Sequence, residues 1–219
     1  MSLRESPVAG IYPILDAQWL EQSGRCKAWT PEARTNVAKD IYAANISILQ
    51  LRCKQSGQAA YEFIDSWIST LRKQCPDTAV IINDRVDLAL YFEADGVHVG
   101  QDDLPIHLCR QLLGTKGIIG LSTHSPSEIQ QAAETTADYI GFGPIFATSS
   151  KSDTHAVQGV DALQEARRSS PLPMVAIGGI GLTQLPDVHA TQVASAAMIS
   201  GVWDQNGMPQ FQTAARYWD

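Results

Sequence analysis

The chain has 219 residues, 44% of them hydrophobic and 18% charged, which is typical of one folded domain with a sizeable core. Its formal net charge of −7 and its lack of a Lys/Arg run argue against nucleic acid as a partner, because nucleic-acid binding needs a basic face. The N-terminus does not resemble a signal peptide and no apolar run reaches about 18 residues, so we expect a cytoplasmic protein with no membrane partner.

The four cysteines predict neither a disulfide framework nor a metal centre. They are far apart and show neither a Cys-x-x-Cys motif nor the spacing of Cys/His metal ligands. We therefore expect reduced thiols, which agree with a cytoplasmic location, at Cys26, Cys53, Cys75 and Cys109.

Short apolar segments alternate with amphipathic segments along the whole chain. We predict strands at residues 10–15, 46–51, 79–82, 96–99, 117–121, 138–141, 174–177 and 196–199. Predicted helices lie at about residues 31–44, 59–74, 86–93, 105–113, 126–135, 159–168, 182–190 and 209–217. Eight uninterrupted strand–helix units favour a (β/α)8 TIM barrel, an α/β fold, in a single domain over residues 1–219. The alternative, a doubly wound sheet, usually carries a glycine fingerprint after its first strand, where this chain has Asp16-Ala17-Gln18.

Polar side chains alternate at the end of the second predicted strand. Active sites of TIM barrels lie at the C-terminal ends of the strands, so the residues that follow each apolar run are site candidates. Gln50, Arg52 and Lys54 are spaced by two in an extended segment and therefore project to one side, facing one pocket. The alternative is an edge of solvated charges.

The third and fourth predicted strands each end in carboxylates. Asn83-Asp84 follows the third strand, and Asp102-Asp103 follows the fourth. Neighbouring strand ends lie side by side in a barrel, and Mg²⁺ prefers carboxylate and phosphate oxygens, so these residues predict a magnesium site beside a phosphorylated substrate. The alternative is that Asp84, and Asp102 or Asp103, cap the helices that follow them.

The fifth and sixth predicted strands end in hydroxyl groups. Ser122 and Thr123 can reach a ligand oxygen, whereas His124 is a weaker acid–base candidate because a lone loop histidine is more often structural. The loop over residues 141–151 combines glycines, hydroxyl side chains and Lys151, a composition that predicts a loop that wraps an anion.

The last two predicted strands end in glycines, at the recurrent phosphate site of TIM barrels. Gly178-Gly179 follows the seventh strand, and Ser200-Gly201 closes the eighth. We therefore predict a monophosphate subsite at Gly179 and Ser200. A second subsite, for a pyrophosphate group and a metal ion, is predicted at Arg52, Lys54, Asp84, Asp103 and Lys151.

Five ordered segments resemble the thiamine phosphate synthase (thiamine-phosphate pyrophosphorylase) family over nearly the whole chain. They are residues 50–54, 83–84, 94–103, 143–151, and 156–159 followed by 177–180. The resemblance implies a Mg²⁺-dependent transferase that joins hydroxymethylpyrimidine diphosphate to hydroxyethylthiazole phosphate. The products would be thiamine phosphate and pyrophosphate, formed by a dissociative mechanism.

The resemblance also implies a role for each matching residue. The pyrimidine diphosphate would bind Gln50, Arg52, Lys54, Asn83 and Lys151. The reacting centre would have Ser122 beside it, with Arg52 and Lys151 also taking part in catalysis, and the metal would bind Asp84 and Asp103. The thiazole phosphate would contact Thr148, Ser150, Gly179, Ile199 and Ser200.

The chain departs from the family pattern at a few positions. Cys53 stands where the family commonly has Glu, Ser150 stands near a common Thr, and residues 18–29 form a longer first loop than usual. Two alternatives are an isomerase of a thiazole phosphate that uses His124 or another residue as its base, and a non-catalytic thiamine-phosphate-binding paralogue. Asp84, Asp103 and Lys151 are all present, which favours the transferase. Its partners would be its two substrates, and a homo-oligomer is a further candidate.

Overall fold

The computed structural model describes residues 8–22, 30–148 and 156–218. Its strands are β1 (Gly10–Asp16), β2 (Ile48–Arg52), β3 (Ala79–Asn83), β4 (Gly96–Val99), β5 (Ile118–Thr123), β6 (Tyr139–Phe142), β7 (Met174–Ala176) and β8 (Ser195–Met198). They are all parallel and form a closed barrel in sequence order, with β8 pairing back to β1. The predicted TIM barrel is confirmed, and the doubly wound alternative is wrong because the sheet closes on itself.

The helices of the described chain surround this barrel. They are α1 (Ala17–Gln22), α2 (Pro31–Ala43), α3 (Gln58–Gln74), α4 (Val86–Tyr91), α5 (Ile106–Leu113), α6 (Pro126–Ala133), α7 (Gly159–Ser169), α8 (Leu185–Ala190) and α9 (Phe211–Ala215). Every helix predicted from periodicity overlaps one of them. Helix α1 is the addition.

Helix α1 occupies the first part of the segment that was predicted to be a long first loop. Asp16, the last residue of β1, accepts a hydrogen bond on Oδ1 from the backbone N–H of Trp19 at 2.7 Å and so caps the helix. Leu20 then packs into the core at 1% exposure. A cap followed by a buried leucine is enough to turn the chain into a helix directly after the strand. Residues 23–29 lie outside the described residues.

The core has two layers because successive strand residues point to opposite faces of the sheet. Residues such as Leu49 and Leu51 pack outward against the helices, together with Trp67. The inward residues form a separate cluster inside the barrel that includes Ile48 and Tyr139. In β2 the inward series continues from Ile48 to Gln50 and Arg52, so the barrel interior changes from apolar to polar towards the C-terminal ends of its strands.

The three cysteines that the structure describes are buried free thiols, as expected from the sequence. They are Cys53, Cys75 and Cys109, and burial raises the pKa of each thiol. Cys26 lies outside the described residues. No helix in the described ranges is both long and apolar enough to cross a bilayer.

Two aspartates stabilise the N-terminal end of the barrel in the same way. Asp138, just before β6, accepts hydrogen bonds on Oδ2 from the backbone N–H of Ile119 at 2.8 Å and from Arg110 Nη2 at 2.7 Å. Asp95 stands just before β4 and accepts in the same way from β3 and from an arginine of α3. Each carboxylate thus joins a strand to the helix that precedes it, far from the C-terminal ends where a site is expected.

We predict that Asp138→Ala lowers the free energy of unfolding by about 2 kcal/mol, because a backbone N–H and an arginine lose their acceptor. Asp77→Ala, at an exposed turn, is the matched control and should change it by less than about 0.5 kcal/mol. Urea denaturation followed by circular dichroism measures both values. Equal stability of the two variants would contradict the anchoring role of Asp138.

Candidate active site

A cavity opens inside the barrel at the C-terminal ends of the strands. Apolar side chains line its wall, among them Ile14, Val175 and Ala197. Five residues that the sequence assigned to the substrates also line it, namely Gln50, Thr148, Gly179, Ile199 and Ser200. The strand ends thus bring the predicted amide of β2 together with the predicted phosphate-binding residues that follow β7 and β8.

Arg52 is buried at the end of β2 and is held there by an acidic partner that the sequence analysis missed. Its Nη1 donates to Oδ2 of Asp16, whose side chain is itself 2% exposed. Arg52 Nε is buried and has no hydrogen-bond partner among the residues that the structure describes. A buried, charged donor without an acceptor is costly, so Arg52 Nε is a candidate donor to a bound anion. Asp16 was detectable as the charged end of an otherwise uncharged strand.

Lys54 and two carboxylates form a charged cluster beside the barrel mouth. Lys54 lies just beyond β2, is half-exposed, and its Nζ is 2.5 Å from Asp84 Oδ2. Asp84 has a left-handed backbone with a φ of 59°, and its N–H donates to the carbonyl of His98 at 2.8 Å. Burial raises the pKa of Asp84, the contact with Lys54 opposes this shift, and the nearby Asp103 adds to it. The two carboxylates are therefore close enough to repel each other.

The alternative that these aspartates cap the following helices is wrong. Within the described chain, α4 begins after Arg85 and α5 begins after Pro105, and neither start has a side-chain cap hydrogen bond. Asp103 instead accepts a hydrogen bond on Oδ2 from the backbone N–H of Gly100 at 2.7 Å. This bond holds its carboxylate in the loop beside Asp84.

The described residues contain no group of three or more His, Cys, Asp or Glu side chains that is arranged to hold a metal ion. Asp84 and Asp103 therefore supply two carboxylates at most. A site of this kind suits a cation that completes its coordination with water and with oxygens of a bound phosphate.

A row of hydrogen bonds crosses the barrel interior, and we call it the interior chain. Gln50 Nε2 lies 3.4 Å from the Tyr12 hydroxyl, and that oxygen lies 2.9 Å from the Tyr139 hydroxyl. The Tyr139 oxygen is 3.0 Å from His98 Nδ1, and His98 Nε2 is 2.9 Å from Ser122 Oγ. The structure therefore connects Gln50 and Ser122, two predicted site residues, through three residues that the sequence analysis did not single out.

Asn83 is placed beside this chain. It ends β3, is 7% exposed, and is paired in register with His98 on β4. The polarity of His98 between Val97 and Val99 was the available signal, because alternation in a strand puts such a residue on the inner face.

The loops after β6 and β7 pack closely because of two glycines. Gly178 and Gly179 have φ values of 93° and 66°, in the left-handed region that favours glycine. A Cβ on Gly179 would lie 2.5 Å from the carbonyl oxygen of Ala147, so only hydrogen fits there. Thr148 is the last described residue of the loop that follows β6. Ser150 and Lys151 lie outside the described residues, and their roles stay predictions.

His124 has structural contacts rather than an open catalytic position. Its Nδ1 lies 2.7 Å from the carbonyl oxygen of Gly143, an atom that can only accept, so Nδ1 carries the proton. Its backbone N–H donates to Glu128 at the start of α6. These contacts agree with the prediction that this loop histidine has a structural role.

We predict that Gly120→Ala destabilises the protein by about 3 kcal/mol, because overpacking of the barrel interior forces side chains to move. An added Cβ would lie 2.2 Å from Cζ of Tyr139 and 2.4 Å from Nδ1 of His98. Gly141→Ala is the control on the neighbouring strand, since its Cβ would meet His98 no closer than 3.4 Å. Chemical denaturation should separate the two variants, and a Gly120→Ala protein as stable as Gly141→Ala would contradict this packing.

Comparison with known proteins agrees with the barrel fold. The sequence model of a family described as thiamine monophosphate synthase matches residues 23–202. A thiamine-phosphate synthase of Methanocella arvoryzae is 39% identical over 171 residues, which cover 77% of this chain and 79% of that protein. A thiamine-phosphate synthase of Synechococcus sp. (strain CC9311) is 36% identical over 193 residues, covering 85% of this chain but 54% of that longer protein.

A solved structure shares the fold over almost the full length of both chains. It is a thiamine phosphate pyrophosphorylase from Pyrococcus furiosus, 28% identical, with a TM-score of 0.74 and coverage of 97% of this chain and 94% of that one. The family match spans most of the barrel, including every described residue of the candidate site from Gln50 to Ser200. The chain belongs to the thiamine monophosphate synthase family.

Proposed function

We propose that this protein joins hydroxymethylpyrimidine diphosphate to hydroxyethylthiazole phosphate, giving thiamine phosphate and pyrophosphate. The observation that carries the proposal is the buried Arg52 guanidinium, which Asp16 holds in place while its Nε remains without a partner in the described chain. A fixed cation with an unused donor suits a diphosphate, whose oxygens accept charge-assisted hydrogen bonds. Membership of the family, and the relatives named thiamine-phosphate synthase, support this choice of substrate.

The two substrates would lie on opposite sides of the barrel mouth. We place the pyrimidine diphosphate at Gln50, Arg52, Lys54, Asn83 and Lys151. We place the thiazole phosphate at Thr148, Ser150, Gly179, Ile199 and Ser200. The apolar wall of the cavity, which includes Val175 and Ile177, suits the two flat rings. The places of Ser150 and Lys151 rest on the sequence motif.

Asp84 and Asp103 fit a magnesium ion. They offer hard oxygen ligands from neighbouring strand ends, and the raised pKa of Asp84 reflects burial and a like charge that a cation would relieve. When bound, the ion would neutralise charge on the diphosphate and on the leaving pyrophosphate. Lys54, already in contact with Asp84, is the side chain that would turn to the substrate phosphates.

The chemistry needs no nucleophile from the protein. The bond between the methylene carbon and the diphosphate oxygen breaks, and its electron pair leaves with pyrophosphate. The aminopyrimidine stabilises the resulting cation, and the lone pair of the thiazole nitrogen forms the new C–N bond. Arg52, Lys54 and Lys151 would stabilise the negative charge on the leaving group, and Ser122 would lie beside the reacting carbon. Alignment of two bound substrates supplies much of the remaining rate enhancement.

We also propose that residues 1–219 act as one domain in the cytoplasm and that its ligands are small molecules. The closed barrel and the buried free thiols at Cys53, Cys75 and Cys109 support this assignment.

The proposed function is tested by the release of pyrophosphate from purified protein. We expect release only when the pyrimidine diphosphate, the thiazole phosphate and Mg²⁺ are all present. Omission of each component in turn is the control. Tight binding of the thiazole phosphate with no pyrophosphate release would instead identify an isomerase or a binding protein.

We predict that Arg52→Lys lowers kcat/KM for the pyrimidine diphosphate by about 100-fold, because an ammonium group lacks the planar fork with which a guanidinium directs one nitrogen to Asp16 and another to the diphosphate. Arg72→Lys is the matched control, since Arg72 forms a similar pair with Asp95 at the opposite end of the barrel. Steady-state kinetics with circular dichroism of both variants makes the comparison. An equal effect of the two substitutions would show that Arg52 is merely structural.

We predict that Asp84→Asn raises the Mg²⁺ concentration needed for half-maximal turnover by about 10-fold or more, because the ion loses a charged ligand. Asp102→Asn removes a neighbouring exposed carboxylate and should leave the Mg²⁺ requirement unchanged. Turnover measured across a magnesium titration reports both. An unaltered titration curve for Asp84→Asn would remove this residue from the metal site.

A further inference from the structure

The interior chain has five members, and all of them are buried. Gln50, Tyr12, Tyr139, His98 and Ser122 have side chains in the barrel interior and are between 0% and 8% exposed. Burial raises the pKa of both tyrosine hydroxyls above the ordinary value, so each hydroxyl keeps its proton at neutral pH. Each tyrosine therefore donates one hydrogen bond at most, and a neutral imidazole also has one N–H to donate.

This proton count gives the interior chain a direction. The amide nitrogen of Gln50 faces the Tyr12 oxygen and can only donate, so the Tyr12 proton is free to point to Tyr139. The Tyr139 oxygen then accepts from Tyr12, and its own proton points to Nδ1 of His98. With Nδ1 as the acceptor, the imidazole proton lies on Nε2 and is donated to Ser122 Oγ.

We propose that the interior chain is polarised from Gln50 to Ser122 and that it commits the hydroxyl proton of Ser122 to the substrate. Tyr12, Tyr139 and His98 are then positioning residues: none needs to contact the reacting atoms, yet together they decide whether Ser122 is a donor or an acceptor. The part that concerns substrate rests on the proposed function. Ser122 as a donor would stabilise negative charge on the departing pyrophosphate.

The fold makes room for this arrangement at one place. Gly120 lies on β5 two residues before Ser122, and a Cβ there would come within 2.4 Å of both His98 Nδ1 and the Tyr139 hydroxyl oxygen. The missing side chain at this position is what allows the central link of the chain. The rings of Tyr12 and Tyr139 also pack edge to face, with centroids 6.0 Å apart, which holds their hydroxyls together.

The proposed polarity predicts the effect of a substitution at Gln50, the first member of the interior chain. A carboxylate can only accept hydrogen bonds, so Gln50→Glu should reverse every bond of the chain. Tyr12 would donate to the new carboxylate, Tyr139 would donate to Tyr12, and His98 would donate from Nδ1. His98 Nε2 would then accept the proton of Ser122, which would no longer be available to a substrate.

The first test is the tautomer of His98 in the substrate-free protein, read from its imidazole ¹⁵N chemical shifts. His98→Gln identifies the resonances. We expect the Nε2–H tautomer in the wild type and the Nδ1–H tautomer in Gln50→Glu, with Tyr61→Phe, at an exposed tyrosine, as an unchanged control. The Nδ1–H tautomer in the wild type, or the same tautomer in the wild type and in Gln50→Glu, would overturn the proposed polarity. This measurement needs no turnover, so it stands or fails independently of the proposed function.

The second test asks whether the chain acts through Ser122. Tyr139→Phe removes one hydroxyl and should lower kcat by roughly 10-fold with little change in KM, yet have less than about a 2-fold effect in a Ser122→Ala background. Tyr12→Phe breaks the next link and should behave in the same way. Losses that multiply in the double variants, or a loss confined to KM, would show that the hydroxyls only support the fold.

Discussion

Inside a closed parallel barrel, a polar side chain that points inward needs a hydrogen-bond partner from the barrel itself, from water or from a bound ligand. The N-terminal part of the interior is lined mostly by apolar residues such as Ile48 and Ile81, although the buried hydroxyl of Ser195 has no partner among the described residues. Towards the C-terminal strand ends the inward positions become polar, and the same demand then shapes the site. Asp16 accepts a hydrogen bond from one nitrogen of the Arg52 guanidinium. The interior chain supplies hydrogen-bond partners to the two tyrosines and to His98.

The groups that these internal hydrogen bonds leave without a partner are the ones available to bind ligands. Arg52 keeps a buried donor without a partner in the described chain, and the proposed polarity leaves Ser122 with a proton to donate. Asp84 and Asp103 lie close enough for like charge to raise the pKa of Asp84. A bound anion would accept a hydrogen bond from Arg52, and a divalent cation would reduce the repulsion between Asp84 and Asp103. Substrate binding would therefore complete an electrostatic arrangement that the free protein leaves unfinished.

Local sequence patterns were sufficient for the architecture and for the positions of several candidate site residues in the barrel. Eight apolar runs separated by amphipathic segments predicted the barrel, and the two-residue alternation of Gln50 and Arg52 placed both on the inner face of β2. The residues after β7 and β8 were predicted to form a phosphate subsite, and Gly179 and Ser200 do line the cavity. These inferences succeeded because each depends on residues close together in the chain.

The features that were not predicted from the sequence depend on contacts between distant segments of the chain. Tyr12 and Tyr139 are 127 residues apart, and His98 is 41 residues from Tyr139, so periodicity could show that each faces inward but not which partner it meets. Asp16 was overlooked as the partner of Arg52 for the same reason, and its cap on Trp19 converted a predicted loop into helix α1. The capping hypothesis for Asp84 and Asp103 failed because their carboxylates face Lys54 and Gly100 instead.

On the proposed function, this barrel couples two substrates rather than isomerising or merely binding one. The most direct measurement is mass detection of thiamine phosphate, alongside a pyrophosphate assay, in a single reaction with both substrates and Mg²⁺. We expect the two products to accumulate in equal amounts. Pyrophosphate without thiamine phosphate, or a bound or isomerised thiazole phosphate with neither product, would contradict it.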